Sequence, residues 1–188
     1  MKFTETELPG AFLIELEPNE DDRGFFARAF CRKEFEERGL VTDFVQSSIS
    51  FNKKKGTLRG MHFQAPPHEE VKLVRCTRGS VYDVIVDLRP TSPTFKQWTA
   101  LELSADNRWS LYIPKGFPHG FQTFEDNSEV LYMISAFYHA EAERGLRFDD
   151  PEVGIVWPLP DPIVSTRDQG LPMLSELSLE NGLFIQLR

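Results

Sequence analysis

The stretch Gly56-Thr57-Leu58-Arg59-Gly60-Met61-His62-Phe63-Gln64 reads as a β-strand, in which successive side chains point to opposite faces. The alternation places Leu58, His62 and Gln64 on one face of the strand and Arg59 on the other. A histidine and a glutamine beside Leu58 fit a face that lines a cavity better than a face that packs in a core. The strand therefore predicts a cavity that His62 shares with other polar side chains.

Composition and charge limit the classes of protein that this chain can form. Its 188 residues carry 29 acidic and 21 basic side chains, a net charge of −8, and are most simply one domain, residues 1–188. This charge argues against nucleic-acid binding, and no apolar run approaches the length of a membrane span. Cys31 and Cys76 follow no disulfide or metal spacing, and no signal-peptide pattern opens the sequence. We therefore expect a reduced, cytoplasmic protein that binds neither nucleic acid nor membrane.

Most of the chain divides into short segments that are rich in β-branched and aromatic residues and separated by turn sequences. One helix is predicted at residues 32–38, ended by Gly39, and a polar turn at residues 18–22. Many short strands with few helices predict a mainly β fold, an antiparallel sandwich or barrel. The predicted strands are residues 11–16, 24–30, 44–51, 58–64, 71–77, 81–88, 97–103, 109–113, 120–124 and 129–138.

The tail from about residue 158 differs from the rest of the chain because it is rich in proline. Proline cannot occupy a central strand, so this segment is predicted to be mostly irregular, with a short helix at residues 173–177. We expect the tail to wrap the outside of the sheet or to cap the mouth of the cavity.

Two spacings resemble the motifs of the cupin jelly roll. Pro114-Lys115-Gly116-Phe117-Pro118-His119 resembles the second cupin motif, whose turn aims the histidine into the barrel. His62, Gln64 and Glu70 have the outline of the first motif, but Gln64 stands where metal-binding cupins have a second histidine. A metal site would have His62, Glu70 and His119, with Gln64 as a poor fourth ligand. Without the middle histidine, the metal-free interpretation is favoured.

Further motifs, in order and spacing, resemble the dTDP-4-dehydrorhamnose 3,5-epimerases. The resemblance runs from about Asp21 to about Leu174, and its motifs are specific only when they are taken together. They are Asp21-Asp22-Arg23-Gly24-Phe25-Phe26, Leu58-Arg59-Gly60-Met61-His62-Phe63-Gln64, Lys72-Leu73-Val74-Arg75-Cys76, Asp83-Val84-Ile85-Val86-Asp87-Leu88-Arg89, Gly116-Phe117-Pro118-His119-Gly120-Phe121, Asp149-Asp150-Pro151 and Trp157-Pro158.

The resemblance implies an epimerase of a nucleotide-linked 4-keto-6-deoxy sugar that needs no metal or cofactor. Such an enzyme removes a proton alpha to the C4 ketone and returns one on the opposite face. The implied catalytic residues are His62 as base, Asp168 as the carboxylate that orients it, Lys72 as the cation at the enolate oxygen and Tyr132 as the opposing acid. The implied substrate contacts are Arg23 and Arg59 for phosphate and sugar, Phe26 and Gln46 for the nucleotide, and His119 and Tyr138 in the pocket.

The resemblance also implies a homodimer in which N-terminal strands cross to the partner and pocket residues are shared. Departures from the family pattern leave the nucleotide, the sugar, and inversion at C3, C5 or both undecided. Arg28 stands where the family usually has an acid and Ser48 where it usually has Asn. Phe137-Tyr138 replaces a pair of tyrosines, and His139-Ala140 replaces a small residue followed by proline.

Plainer interpretations of the same residues stay open at the level of the sequence. Lys72 could be a solvated strand residue, Tyr132 a core residue with a buried hydroxyl, and Asp168 or Arg23 a turn residue. Two other functions also remain. One is a metal-dependent cupin isomerase or dioxygenase using His62, Glu70 and His119, and the other is a sugar-nucleotide binding protein without catalysis.

Overall fold

The computed structural model describes residues 1–180 and 183–186, with side chains through Leu177. Two short α-helices are present, α1 (Arg32–Glu36) and α2 (Thr166–Gln169). The strands are β1 (Lys2–Glu5), β2 (Phe12–Glu15), β3 (Asn19–Asp21), β4 (Gly24–Phe26), β5 (Gln46–Asn52), β6 (Thr57–Gln64), β7 (Lys72–Arg78), β8 (Ser80–Val86), β9 (Trp98–Ser104), β10 (Ser110–Ile113), β11 (His119–Thr123), β12 (Ser128–Ile134), β13 (Glu143–Gly145), β14 (Ile163–Val164), β15 (Leu177–Glu180) and β16 (Leu183–Gln186).

Two antiparallel sheets form the body of the fold. The first has the order β1-β2-β10-β7-β12-β5, and the second has the order β13-β6-β11-β8-β9, with β14 added in parallel to β6. Neighbours such as β7 and β10 are far apart in the chain, because the connections pass from one sheet to the other. The mainly β, cupin-like jelly-roll prediction is confirmed. No described helix is long and apolar enough to span a membrane.

Three hydrophobic clusters hold the sheets together. The inner cluster lies between the two sheets and includes Val74, Phe121 and Val130. A second cluster lies on the outer face of the second sheet, where Leu146 and Leu174 from the C-terminal segment pack. A third lies on the outer face of the first sheet, under α1 and the N-terminal segment. The tail thus wraps the outside of the sheet, as the sequence predicts.

Most predicted strands are confirmed to within two residues, and the differences lie at their ends and in the termini. The strand predicted at 129–138 ends at Ile134, and the helix predicted at 32–38 ends at Glu36. The polar turn predicted at 18–22 is wrong, because Asn19–Asp21 pairs with Gly24–Phe26 in a hairpin. The predicted strand at 24–30 is only this short β4. The helix predicted at 173–177 is a single 3₁₀ turn, Leu174–Glu176.

A β-bulge in β6 overturns the predicted faces of the opening strand. His62 pairs with His119 and Arg59 pairs with Phe121, so two residues of β6 lie opposite one residue of β11. The extra residue reverses the alternation, and Arg59 therefore lines the same cavity as His62. Leu58 pairs with Gln122, whose amide bonds the backbone of the tail, so Leu58 is not on the face of His62.

Gly60 is required at the bulge for two reasons. Its φ is +123°, which residues with a side chain rarely adopt. A Cβ at this position would lie 2.5 Å from the Cα of Gly120 and 2.8 Å from the carbonyl oxygen of His119. The two strands approach so closely here that only glycine fits.

We expect the substitution Gly60→Ala to destabilise the fold more than a glycine substitution in open space. Gly39→Ala is the matched control, because Gly39 has a φ of +69° and no atom within 4 Å of its added Cβ. The control should lose about 1–2 kcal/mol of unfolding free energy from backbone strain alone. Gly60→Ala should lose about 1–3 kcal/mol more from the steric clash. Urea unfolding of both variants measures the difference, and equal losses would contradict the close strand approach.

Candidate active site

A cleft with two lobes opens at one end of the space between the sheets. The inner lobe has a volume of about 280 Å³ and the outer lobe about 160 Å³, and both are bounded by His62, Lys72 and Ile134. The cleft brings together eight of the residues singled out in the sequence: Gln46, Ser48, Arg59, His62, Lys72, His119, Tyr132 and Tyr138.

His62 forms a hydrogen-bonded pair with Asp168. The two groups meet at 2.8 Å between Nε2 and Oδ1, and the other carboxylate oxygen accepts the backbone N–H of Gly60 at 3.2 Å. Asp168 is 5% exposed. Burial raises the pKa of the Asp168 carboxyl, but the hydrogen bond and charge of His62 outweigh it, so its pKa lies below the ordinary value. The pair leaves an imidazole facing the cleft with an ionised carboxylate behind it.

The position of Asp168 depends on a local helix start. Ser165 caps α2, and its side-chain oxygen accepts the backbone N–H of Asp168 at 3.1 Å. β14 pairs with β6 just before this helix, which places α2 against the strand that contains His62. The Asp168 carboxylate is therefore held against the His62 ring.

Lys72 lies on β7 with its amine held at the junction of the two lobes. Its Nζ donates to the backbone carbonyl of His62 at 3.0 Å and pairs with Glu70 Oε1 at 3.0 Å. Only 11% of the Lys72 side chain is exposed. Burial on a cleft wall excludes the interpretation of Lys72 as a solvated strand residue, and leaves a fixed cation beside His62.

Tyr132 lies on β12, two residues beyond the buried Val130, and borders the inner lobe. Burial and, next, the negative charge of Asp83 raise the pKa of its phenol, while the charge of Arg59 opposes them. The phenol is therefore protonated at neutral pH, as an acid must be before it donates.

His119 and Asp83 form a second histidine–carboxylate pair behind Tyr132. The Nε2 atom of His119 lies 3.0 Å and 2.9 Å from the two oxygens of Asp83, which is fully buried. The His119 ring meets the Tyr132 ring edge to face, with centroids 5.8 Å apart. This pair fixes one wall of the inner lobe and packs against Tyr132.

Arg59 reaches the inner lobe because of the bulge, and Asn52 orients it. The Nε atom of Arg59 donates to Asn52 Oδ1 at 2.7 Å, and the Asn52 amide in turn donates to the carbonyls of Ser50 and Ser128. Ser48 lies across the strand pair from Tyr132 and also lines the lobe. The inner lobe therefore has a positioned guanidinium and a small hydroxyl at its edge.

The outer lobe is closed by a loop that contains Tyr138. The backbone N–H of Tyr138 donates to Gln46 Oε1 at 2.7 Å, and the Tyr138 hydroxyl donates to Glu143 Oε2 at 2.8 Å. Glu143 also pairs with Arg167. Burial raises the pKa of the Glu143 carboxyl, but the hydrogen bonds from Tyr138 and Arg167 outweigh it, and the pKa is lowered.

Arg23 and Phe26 do not line the cleft. Both lie on the β3–β4 hairpin, where Arg23 pairs with Asp21 and Phe26 is 78% exposed. Arg28, a departure from the family pattern, also lies outside the cleft and pairs with Glu34 at 3.1 Å.

The alternative metal set of His62, Glu70 and His119 is not supported by the geometry. Each candidate ligand is already bound, His62 to Asp168, His119 to Asp83, and Glu70 to Lys72 and the backbone N–H of Gln64. These three do not form a group with ligand atoms within 4.8 Å of one another in the described part of the chain. The metal-dependent alternative is therefore set aside on the donor geometry.

Sequence reasoning missed Asp83 and Asn52. Asp83 is the charged residue in the otherwise apolar run of β8, and a buried charge of this kind needs a partner. That signal could have flagged it. Asn52 gave no comparable signal, because its contact with Arg59 depends on the register of β5 and β6.

Comparisons with known proteins show the family and the fold. Residues 5–176 match the family model described as dTDP-4-dehydrorhamnose 3,5-epimerase. The dTDP-4-dehydrorhamnose 3,5-epimerase of Shigella flexneri is 43% identical over 89% of this chain and 93% of the relative. The Bacillus anthracis epimerase structure with TDP and PPi bound is 44% identical, with a TM-score of 0.89, over 92% of this chain and 99% of that chain. A Legionella pneumophila structure in complex with dTDP-4-keto-L-rhamnose is 37% identical, with a TM-score of 0.86, over 93% of each chain.

The His62–Asp168 pair predicts how stability depends on acid. Because the pKa of Asp168 is lowered in the folded chain, its stabilisation is complete above the ordinary value of 3.8 and is lost as the pH falls through the lower folded pKa. Asp168→Asn should cost roughly 1–3 kcal/mol at neutral pH, where a buried hydrogen-bonded group loses its charge. As the pH falls below the ordinary pKa of 3.8, the variant should therefore lose less unfolding free energy than the original chain.

Urea unfolding at a series of pH values measures this dependence. Asp106→Asn is the control, because Asp106 lies in the exposed turn between β9 and β10. Identical acid dependence in the original chain and in Asp168→Asn would show that the pair contributes nothing to stability.

Proposed function

The chain belongs to the dTDP-4-dehydrorhamnose 3,5-epimerase family, and from this premise we propose that the residues of its cleft epimerise a nucleotide-linked 4-keto-6-deoxy sugar. The protein is an isomerase that acts on sugars of the dTDP-4-dehydro-6-deoxyglucose type, in deoxysugar biosynthesis. The observation that supports the residue roles most strongly is the His62–Asp168 pair, which faces a cleft shared with Lys72 and Tyr132.

The first step is removal of a proton from a carbon next to the C4 ketone. His62 accepts this proton as a neutral imidazole, and the resulting imidazolium is paired with the ionised Asp168. C3 and C5 are both alpha to C4, so one base can serve either carbon if the sugar turns in the cleft. Asp168 contributes by holding the ring and stabilising its charged form.

The electron pair left on carbon delocalises onto O4 as an enolate. Lys72 is the fixed cation beside His62, and its charge stabilises the developing oxyanion. Because the amine is already held by Glu70 and the His62 carbonyl, little reorganisation is needed during the reaction. The chemistry requires no metal or redox cofactor in this mechanism.

The second step returns a proton to the opposite face of the carbon. Tyr132 is protonated and borders the inner lobe on a different strand from His62, so it is the acid that can donate there. The enolate collapses to the ketone with inverted configuration, leaving a tyrosinate and an imidazolium that exchange protons with solvent. His119 and Asp83 position Tyr132 through the ring contact.

Substrate binding uses the rest of the cleft. Arg59 provides a cation for the sugar phosphate at the inner lobe, and guanidinium groups suit phosphate oxygens because they donate paired hydrogen bonds. Gln46 and Tyr138 border the outer lobe, where the nucleotide is placed. Arg23 and Phe26 complete the site from a second subunit.

Deuterium exchange separates the two catalytic roles. We expect His62→Ala to slow deuterium uptake at C3 and C5 of dTDP-4-keto-6-deoxyglucose in heavy water by about 10²–10⁴-fold, because the base is lost. Tyr132→Phe should retain proton removal but slow inversion, because His62 can return a proton only to the face it took it from. Nuclear magnetic resonance of the sugar follows both uptake and inversion.

Tyr82→Phe is the matched control for Tyr132→Phe, because Tyr82 packs against Trp157 in the cluster on the outer face of the second sheet. Circular dichroism of each variant verifies folding. Unchanged exchange and inversion in Tyr132→Phe would overturn its role as acid, and no uptake by the folded original chain would overturn the substrate.

The exposed edge of the first sheet supports a homodimer. Ile49, on the edge strand β5, is 62% exposed, and it lies in one cross-strand row with Leu131 and Arg75. A second copy packed on this face would bury Ile49. In this dimer we assign the β3–β4 hairpin, with Arg23 and Phe26, to the partner's cleft. We further propose that the enzyme is a single domain, residues 1–188, located in the cytoplasm.

Ile49→Lys should shift the protein from dimer to monomer. A charge at the centre of an apolar interface costs binding free energy, because the ammonium must lose water without gaining a partner. Ile163→Lys is the matched control, because Ile163 is 53% exposed on β14 at the other sheet. Light scattering after size exclusion measures the mass, and a dimer that persists in Ile49→Lys would place the interface elsewhere.

A further inference from the structure

Two histidines and a glutamate meet outside the proposed catalytic set. The rings of His68 and His139 stack with centroids 3.6 Å apart and an interplanar angle of 25°. Glu141 joins them, with its Oε1 atom 3.2 Å from Nδ1 of His139. One ligand atom from each of the three lies within 4.8 Å of the other two, and this is the one such group in the described part of the chain.

Gln64 holds the backbones of both histidines in place. Its side-chain amide donates to the carbonyl of His68 at 3.0 Å and to the carbonyl of Phe137 at 3.3 Å, and its oxygen accepts the N–H of His139 at 2.7 Å. Gln64 is 7% exposed, so these bonds are shielded from water. The loop after β6 and the loop after β12 are therefore joined where the two imidazoles lie.

We propose that His68, His139 and Glu141 form a binding site for a divalent transition metal ion, with Zn²⁺ as the best match. Imidazole nitrogens and a carboxylate oxygen are ligands that Zn²⁺ accepts in a tetrahedral site, with water at the fourth position. Mg²⁺ prefers oxygen ligands in octahedral geometry and does not match this set. The proposal does not depend on the epimerase mechanism.

Metal binding requires a rearrangement of the exposed side chains of this group. Zn–N distances of about 2.0–2.1 Å in a tetrahedral site place ligand atoms about 3.3–3.5 Å apart. The candidate ligand atoms lie within 4.8 Å of one another, and the planes of the stacked rings do not converge on one point. The His139 ring, whose side chain is 38% exposed, must therefore rotate out of the stack to turn a lone pair toward the same point as His68. Glu141 is 74% exposed and is free to rotate toward the same point.

Bound Zn²⁺ would link the two loops at the outer lobe of the cleft. Gln64, which ends β6 and bonds the His68 carbonyl, and Tyr138, which precedes His139, both line that lobe. The proposed ligands do not line the lobe themselves, whereas His62 and Lys72 border both lobes and Tyr132 borders the inner one. A metal here would restrain the rim without taking part in proton transfer.

Calorimetric titration of chelator-treated protein with Zn²⁺ tests the site. We expect one Zn²⁺ per chain. We expect His68→Ala or His139→Ala to weaken binding at least about 10-fold, because even the loss of a group that hydrogen-bonds to a metal ligand typically weakens metal binding by that factor. Glu141→Gln should weaken it less than either histidine substitution. Titration with Mg²⁺ should give no binding.

His62→Asn is the matched control, because it removes a histidine of the cleft and leaves the proposed ligands in place. It should keep one Zn²⁺ per chain with unchanged affinity. Loss of Zn²⁺ in His62→Asn together with its retention in folded His139→Ala would locate the metal in the cleft and overturn the proposal. Absence of Zn²⁺ binding by the original chain would overturn it as well. The visible absorption of bound Co²⁺ gives an independent readout, and it should disappear in His139→Ala.

Discussion

The hydrogen bond between His62 and Asp168 joins two parts of the chain that are 106 residues apart. The carboxylate is buried, and a buried charge without a partner costs several kcal/mol. Its partners are the imidazole of His62 and the N–H of Gly60, both on β6. The packing of the tail against the sheet and the formation of the His62–Asp168 pair therefore depend on each other. The C-terminal segment packs outside the sheet, yet it supplies the group behind the base.

The space between the sheets is filled by apolar side chains at one end and lined by polar side chains at the other. Val74 and Val130 face inward within the inner cluster. Lys72, two residues before Val74, and Tyr132, two residues after Val130, face the same way on their strands. Lys72 and Tyr132 each thus have a buried neighbour on the same strand face. Rigid strands hold the cation and the acid, which suits groups that must be fixed before charge develops.

Gln64 shows how a departure from one motif can serve another purpose. A histidine at this position would supply one more metal ligand to the cavity, whereas the glutamine amide has donors and an acceptor on one planar group. It satisfies three backbone groups of two loops at once. The same residue weakens the case for a metal inside the cleft and brings His68 and His139 together at its rim.

Local patterns in the sequence were sufficient for the mainly β class, for most strand positions and for the polar character of the cleft around His62. Family motifs suggested Lys72, Tyr132 and Asp168, and the structure places all three with His62. The sequence could not place Arg59, because strict alternation turns it away from the cleft. One extra residue at Gly60 and Met61 reverses that face, and the bulge is visible only when β6 is paired with β11.

Asp83 and Asn52 were also decided by tertiary structure, since their partners come from other strands. Alternation, turn residues and composition act over a few neighbouring residues, so the sequence alone determines strands and their approximate ends. Register, bulges and the docking of a distant tail follow from packing and from the need to pair buried charges. Those interactions join residues that are far apart in the chain, and only the folded structure settles them.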